Sequence, residues 1–440
     1  ASALHRSTPP LFRMSLPTRS RRSARALVAG LALALAVLAS IGVAFAQVFH
    51  PDARIDQLST QTLLALAPDQ LVDPFRQHRA DVISADQQLD FIPWALAPIV
   101  AFFWLWRSGN AARLRNLLSG GGHAIGWMQR ATFGAALGVL AVLVQSPFAL
   151  TSHRIAGGVG LSAQSITGWF VDEFVRITLT ALASAVLAAV VLAFVARTRL
   201  WYLWVLGFLY ASAIVVVAVE PVLFAPLATS ERPAPAQIVA TGDQIAGLIG
   251  TTPVQIEIVG SSERTNALIN RTAGMYPFDR IVLGDTTVTR VTSGEMRFLI
   301  ARSYVHLRDH DNLMLCLIGT TLFIVAAALG VLINDRIGFR RDDDSLARFP
   351  LVLSMVGVMV LIAWPIFNRF ERARDLHADR VAIAATGDPA SAVRFLVRRA
   401  DDDLIPLCGL ASSRWYFGSH AALGTRIAQA RGTDDPCARP

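Results

Sequence analysis

Seven stretches of the chain, residues 26–46, 91–106, 131–150, 177–196, 200–219, 313–333 and 349–367, are almost free of charge over close to the length of a membrane span. A helix needs about twenty apolar residues to cross the hydrocarbon core of a bilayer, so each stretch reads as a transmembrane helix. A water-soluble globular fold is excluded. The second stretch is short, but Trp94, Trp104 and Trp106 suit the aromatic belt at a membrane interface. The first has a rival reading, because an arginine-rich start, an apolar run and Ala44-Phe45-Ala46 ahead of Gln47 also describe a secretory signal peptide. Its run of about twenty apolar residues exceeds a usual signal core, and we take it as a retained span. Composition agrees, with 53% hydrophobic and 16% charged residues.

All forty basic residues are arginine, a usage that suits a GC-rich bacterial genome and carries no catalytic meaning. The formal charge of +8 does not point to nucleic acid, because most arginines stand at the ends of apolar segments, where they anchor helices at the interface. With the N-terminus inside, the cytoplasmic short segments collect sixteen arginines and the opposite ones five (Arg54, Arg76, Arg79, Arg154, Arg176). Positive residues favour the cytoplasmic side. Residues 220–312 and the tail after residue 369 are therefore expected outside the cytoplasm, on the far face of a bacterial inner membrane. Cys316 lies in an apolar run and reads as packing, whereas Cys408 and Cys437 share the polar tail and can pair if it faces an oxidising compartment. No CxxC spacing supports a structural zinc site.

The polar parts are short. Residues 254–259 alternate with period two and 280–283 read as a second strand, while 293–307 have helical periodicity with Ser293 as N-cap and Glu295 in the first turn. A helix over 371–385 is expected to break at Gly387-Asp388-Pro389, and 231–236 is a Pro/Ala-rich link. Glu220 reads as an interfacial cap and Asp342-Asp343-Asp344 as a solvated loop. The expected organisation is a basic tail over 1–25, five spans over 26–219, an α/β part over 220–312, two spans over 313–369 and a helical part over 370–440.

Several local stretches, in this order, resemble the integral-membrane zinc metallopeptidases of the type I CAAX prenyl endopeptidase kind. Pro221 to Leu227 follows the fifth span, and Arg264-Thr265-Asn266-Ala267 is similar to the Ser-Asn-Ala edge strand of that family. Asp279 to Thr286 resembles Arg-Ile-Val-Leu-x-Asp-Thr, Asp375 to Arg380 resembles Glu-x-x-Ala-Asp-Arg, and Ser419-His420 through Arg426-Ile427 resembles the terminal Ser-His-Pro and Arg-Ile. The resemblance implies a mainly α, polytopic fold with a small α/β gluzincin-like peptidase domain split around the last two spans. It also implies peptide binding by sheet extension at Asn266 and Ala267, with His420 and Arg426 nearby.

The family's chemistry uses His-Glu-x-x-His on one helix, because residues four apart share a face and two imidazoles can grip one zinc, with the Glu as general base. Here the stretch is Arg302-Ser303-Tyr304-Val305-His306, and Asp375 stands where a glutamate would be the third ligand. Arginine stays protonated and cannot ligate a metal; serine has no useful basicity near neutral pH. The zinc implied by the resemblance therefore lacks its ligands, and no catalytic residue or cofactor is assigned. His310 and His377 do not complete a rearranged site, the first being at another depth and the second pointing away from Asp379. Asp375 and Asp379, four apart on one face, can both accept from the Arg302 fork, so a cluster of Arg302, Asp375 and Asp379 is expected to replace the metal. The reading is a non-catalytic pseudopeptidase acting as a scaffold, a complex subunit or a binder of peptide or lipid. Its partners are then the bilayer and other membrane-protein subunits or such a ligand. The alternative is a membrane metalloendopeptidase with altered zinc ligation.

Overall fold

The structure, a computed structural model, describes residues 49–119, 126–198, 200–220, 230–336 and 345–438. The basic tail, the first expected span at 26–46, the segment 221–227 and the Asp342–Asp344 loop lie outside the described residues. In chain order the elements are α1 (Arg54–Gln57), α2 (Thr60–Ala65), α3 (Pro68–Leu71), α4 (Pro74–Arg107), α5 (Asn110–Ser119), α6 (Trp127–Gly158), α7 (Ile166–Arg197) and α8 (Trp201–Val219). There follow β1 (Glu231–Pro233), α9 (Ala236–Ile249), β2 (Gln255–Val259), β3 (Asn270–Ala273), β4 (Arg280–Gly284), α10 (Asp285–Arg290) and α11 (Ser293–Arg308). The chain closes with α12 (Asp311–Arg336), α13 (Ser345–Thr386), α14 (Pro389–Asp402), α15 (Ala411–Tyr416) and α16 (Leu423–Arg431).

Among the described residues six helices, α4, α6, α7, α8, α12 and α13, are long and apolar enough to cross a membrane. The last six of the seven expected spans coincide with them, so the chain is a multi-pass membrane protein. Several run well past the bilayer. The 42 residues of α13 extend about 60 Å at 1.5 Å per residue, roughly twice the hydrocarbon thickness. The expected boundary at 369/370 is therefore not a break: one continuous helix carries Asp375 and Asp379 from the membrane into the polar part. It ends where the sequence stops it, with Gly387 at φ +64° and Asp388 capping α14 through a hydrogen bond from the Ser391 N–H.

Proline inside a helix frees the carbonyl four residues earlier, and in a bilayer that carbonyl needs a partner. Pro98 frees Trp94 O, which accepts from Gln145 Nε2 on α6 at 3.3 Å. Pro365 frees Leu361 O, which accepts from the Tyr416 hydroxyl at 2.9 Å. Pro98 and Pro365 thus each dock a neighbour onto their helix. Between α6 and α7 the fit depends on Gly134 and Gly138, because a Cβ at either would overlap Ser184 or the Thr180 carbonyl.

The soluble part is built on a four-stranded sheet of order β1-β2-β4-β3, with β2 and β4 parallel and the outer strands antiparallel. Of these strands the sequence pattern predicts only β2 and β4. β1 lies within the expected Pro/Ala-rich link 231–236; Pro233 has no N–H to donate, which an edge strand tolerates. β3 has no alternation to reveal it. Ile256, Ile258, Ile281 and Leu283 of the sheet pack with Ile245 of α9 and Phe298, Leu299 and Tyr304 of α11. Ala378 and Ala382 of α13, Val393 and Leu396 of α14 and Ile427 of α16 belong to the same core. The helix α11 is consequently sunk in the domain. Its N-cap is Thr292, not Ser293: Thr292 is extended (φ −72°, ψ 166°) and forms a capping box with Glu295, whose side chain accepts from the Thr292 N–H at 2.7 Å.

Residues ahead of α4 join this domain as well. Ile55 and Leu63 are fully buried in its core. Asp52 N–H donates to Asp402 at 2.8 Å, Asp73 N–H to Asp401 at 3.0 Å and Arg431 Nε to the Leu64 carbonyl at 3.0 Å. Residues 50–73 therefore lie on the same side of the membrane as the sheet, as the even number of helices between them requires. Cys408 and Cys437 are joined in a disulfide with Cα atoms 5.2 Å apart.

Candidate active-site region

Arg302 and His306 lie four apart on α11, and Asp375 and Asp379 four apart on the facing stretch of α13, so two pairs of side chains meet across one helix–helix contact. Arg302 Nε donates to Asp379 Oδ1 at 3.0 Å, and its terminal nitrogen donates to Asp375 Oδ1. From α16, Arg426 grips Asp379 with Nε to Oδ2 at 2.6 Å and a terminal nitrogen to Oδ1 at 3.0 Å. His420, on the loop before α16, places Nδ1 2.7 Å from Asp375 Oδ2. Every carboxylate oxygen of the two aspartates is thus engaged by a protein donor. Arg426 and Asp379 are nearly inaccessible, at 2% and 1% side-chain exposure, while Arg302 retains 13%.

His306 turns elsewhere. Its Nδ1 lies 2.7 Å from Asp311 Oδ2 at the start of α12, and its Nε2 is 4.0 Å from Asp375 Oδ1, beyond hydrogen-bond range. Burial, and then the adjacent Arg302 guanidinium, push His306 below its ordinary pKa, with the Asp311 hydrogen bond opposing them. A neutral ring donating from Nδ1 fits this environment. Ser303, at the position of the family's general base, is 1% exposed and donates to Asn270 Oδ1 on β3 at 3.1 Å. Its proton is committed to that amide, and a hydroxyl lacks the basicity of the carboxylate it replaces. His377 pairs with Asp309 at 3.0 Å, away from Asp379, and His310 lies past the end of α11 at φ 54°.

The zinc implied by the resemblance does not fit these residues. A guanidinium occupies the space between the second-helix carboxylates, their oxygens already accept from arginine and histidine, and the first imidazole is absent. A second cation there would sit against a fixed positive charge. No step of chemistry is derived through a metal.

The expected open edge at Asn266 and Ala267 is not found. Residues 264–267 form no strand beyond an isolated antiparallel bridge between Ser162 and Thr265. The turn between α6 and α7 lies along them: Asn266 N–H donates to Leu161 O at 2.8 Å, Asn266 Nδ2 to Gly160 O at 2.8 Å, and Ala163 N–H to Arg264 O at 3.1 Å. Arg290 donates to the Asn266 carbonyl at 2.7 Å and Leu268 N–H to Asp403 at 2.9 Å. Sheet extension by a peptide at Asn266 would first have to displace residues 160–163. Asp311, Asn270 and Arg290 were missed in the sequence. Each comes from another element and follows no motif spacing, and only the proximity of Asp311 to His306 in the chain offers a signal.

A bundle of membrane helices fused to a split sheet-and-helix domain of the metallopeptidase kind is the class that this architecture defines. The sequence description Peptidase family M48 matches residues 236–434, and CAAX prenyl protease N-terminal, five membrane helices, matches residues 90–229. The chain belongs to peptidase family M48. The protein of Bacillus subtilis (strain 168) called uncharacterized metalloprotease YhfN is 21% identical over 342 residues, which cover 75% of this chain and 79% of that protein. The crystal structure of S. mikatae Ste24p has a TM-score of 0.69 and 17% identity, covering 86% of this chain and 96% of that one. That likeness establishes a common fold.

Proposed function

We propose that this chain is a non-catalytic member of its family, a membrane pseudopeptidase that keeps the fold and works by binding or assembly. The observation that carries this reading is the Arg302 guanidinium hydrogen-bonded to Asp375 and Asp379, a salt-bridge cross-link between the two helices that would otherwise share a metal. Ser303 and the inward-turned His306 support it, since neither is placed to activate a water. Incubation of the purified protein with excess zinc and an unbiased peptide library should give no cleavage above the His306→Ala variant. Cleavage that disappears in that variant would establish the endopeptidase reading instead.

We also infer that the domain faces away from the cytoplasm of a bacterial inner membrane, with the N-terminus inside. The sixteen-to-five arginine bias and the Cys408–Cys437 disulfide support this, because disulfides persist in oxidising compartments. Gln237 is exposed on α9. Gln237→Cys is expected to react with a membrane-impermeant maleimide added outside spheroplasts; reaction only in inverted vesicles would reverse the orientation.

A further inference from the structure

A cavity of ≈ 470 Å³ opens between α4, α13 and the loop joining α14 to α16. Its depth in the membrane follows from the helices that line it. Phe91 begins the apolar run of α4, and Trp364 stands near the end of the apolar run of α13. Both rings therefore sit where hydrocarbon gives way to headgroups, the level that aromatic side chains favour. With Phe417 they form one wall, the ring centroids being 5.2 Å apart for Phe91 and Phe417 and 6.4 Å for Phe91 and Trp364. The loop is fixed at this level by α13. Beside the Tyr416 bond to Leu361, Asn368 Nδ2 donates to the Tyr416 carbonyl at 2.7 Å and Arg372 to the Arg414 carbonyl at 3.0 Å.

The same cavity is lined by Arg399, Arg414 and His420. Two of these are neutralised within the protein, Arg399 by Asp403 at 3.0 Å and His420 by Asp375 at 2.7 Å. Arg414 is different. Its guanidinium makes one long contact, 3.5 Å to the Cys408 carbonyl, and has no carboxylate in ion-pair range among the described residues. The Arg372 guanidinium, close enough to reach the Arg414 backbone, adds positive potential at the same level. On the same short helix Trp415 is 63% exposed, and Leu410 just before it is 66% exposed. Such side chains are costly in water and at home in the interfacial zone.

An aromatic wall at the hydrocarbon boundary, lining one cavity with an uncompensated guanidinium at headgroup level, selects for a ligand that is apolar at one end and anionic at the other. A soluble anion would satisfy the charge and leave the rings unoccupied. A zwitterionic lipid would bring its own cation to Arg414. We propose that this cavity binds an anionic phospholipid, its phosphodiester on Arg414 and its proximal acyl chain against Phe91, Trp364 and Phe417. The site does not depend on whether the chain is catalytic. Because His420 lines the cavity and contacts Asp375, an occupied site lies one residue from the Arg302 cluster.

Native mass spectrometry of the full chain, released from detergent with added lipid, tests this with phosphatidylglycerol, phosphatidylcholine and inorganic phosphate as probes. The wild type should retain phosphatidylglycerol at least about tenfold more strongly than phosphatidylcholine, because the charge-assisted bond to Arg414 is not offset by a headgroup cation. Inorganic phosphate should not compete, because it has no acyl chain to occupy the aromatic wall. Arg414→Gln, which keeps a donor for the Cys408 carbonyl, should lose about that tenfold preference, and Arg414→Lys should keep most of it. Equal retention of the two lipids, competition by phosphate, or an unchanged preference in Arg414→Gln would each overturn the proposal. The thermal midpoint of the wild type should be shared by Arg414→Lys, so that a preference lost in both variants despite intact folding also counts against it.

Discussion

Asp379→Ala is expected to destabilise the soluble domain by about 4 kcal/mol, more than any other single substitution in the cluster, because it strands the buried Arg426 guanidinium and leaves Arg302 with Asp375 alone. Arg426 is 2% exposed, accounts for both oxygens of Asp379, and has no other carboxylate within ion-pair distance among the described residues. Burial alone would lower the pKa of Arg426; Asp379 beside it reverses that, so the loss leaves a buried cation without its counter-charge. Arg302→Ala should cost less, roughly 2–3 kcal/mol, since Asp375 keeps His420 and Asp379 keeps Arg426. His306→Ala should cost about 1 kcal/mol, the value of one ordinary hydrogen bond, because Arg374 still holds Asp311. Denaturant unfolding in detergent, followed by far-UV circular dichroism, gives the order. Equal and negligible losses for all three would show that the cluster does not cross-link the helices.

The second large effect is a gain. Arg302→His combined with Ser303→Glu restores the ligand and base types of the family on a helix already packed in place, with Asp375 one methylene shorter than the glutamate ligand it replaces. Removing the guanidinium also releases oxygens of Asp375 and Asp379, so the second can orient an imidazole in the way outer carboxylates do at zinc sites. The double variant should bind about one zinc per chain, measured by metal analysis after dialysis. A folded double variant that stays metal-free would mean that Arg302 is not what excludes the metal.

Much of this architecture was legible in the chain. The spans follow from runs of apolar residues, because in lipid the backbone has one economical solution and length alone selects it. The four-residue spacing of Arg302 with His306, and of Asp375 with Asp379, put each pair on one face, and the resemblance put the faces opposite each other. Sequence did not reveal Arg426 as the second clamp on Asp379, because a helix from the far end of the chain delivers it. Nor did it reveal that residues 160–163 lie along Asn266, since a turn between two membrane helices has no pattern that names its target. The edge strands escaped for a similar reason: β1 and β3 are short, and their partners rather than their own alternation make them strands.

Whether a guanidinium or a metal joins α11 to α13 is answered most directly by zinc content. Wild-type protein purified without chelator from zinc-supplemented cells should contain less than about 0.1 zinc per chain by plasma mass spectrometry, because a guanidinium, which cannot ligate a metal, stands in place of the first imidazole and both oxygens of Asp375 are already held by arginine and histidine. Stoichiometric zinc that is lost on His306→Ala would contradict it.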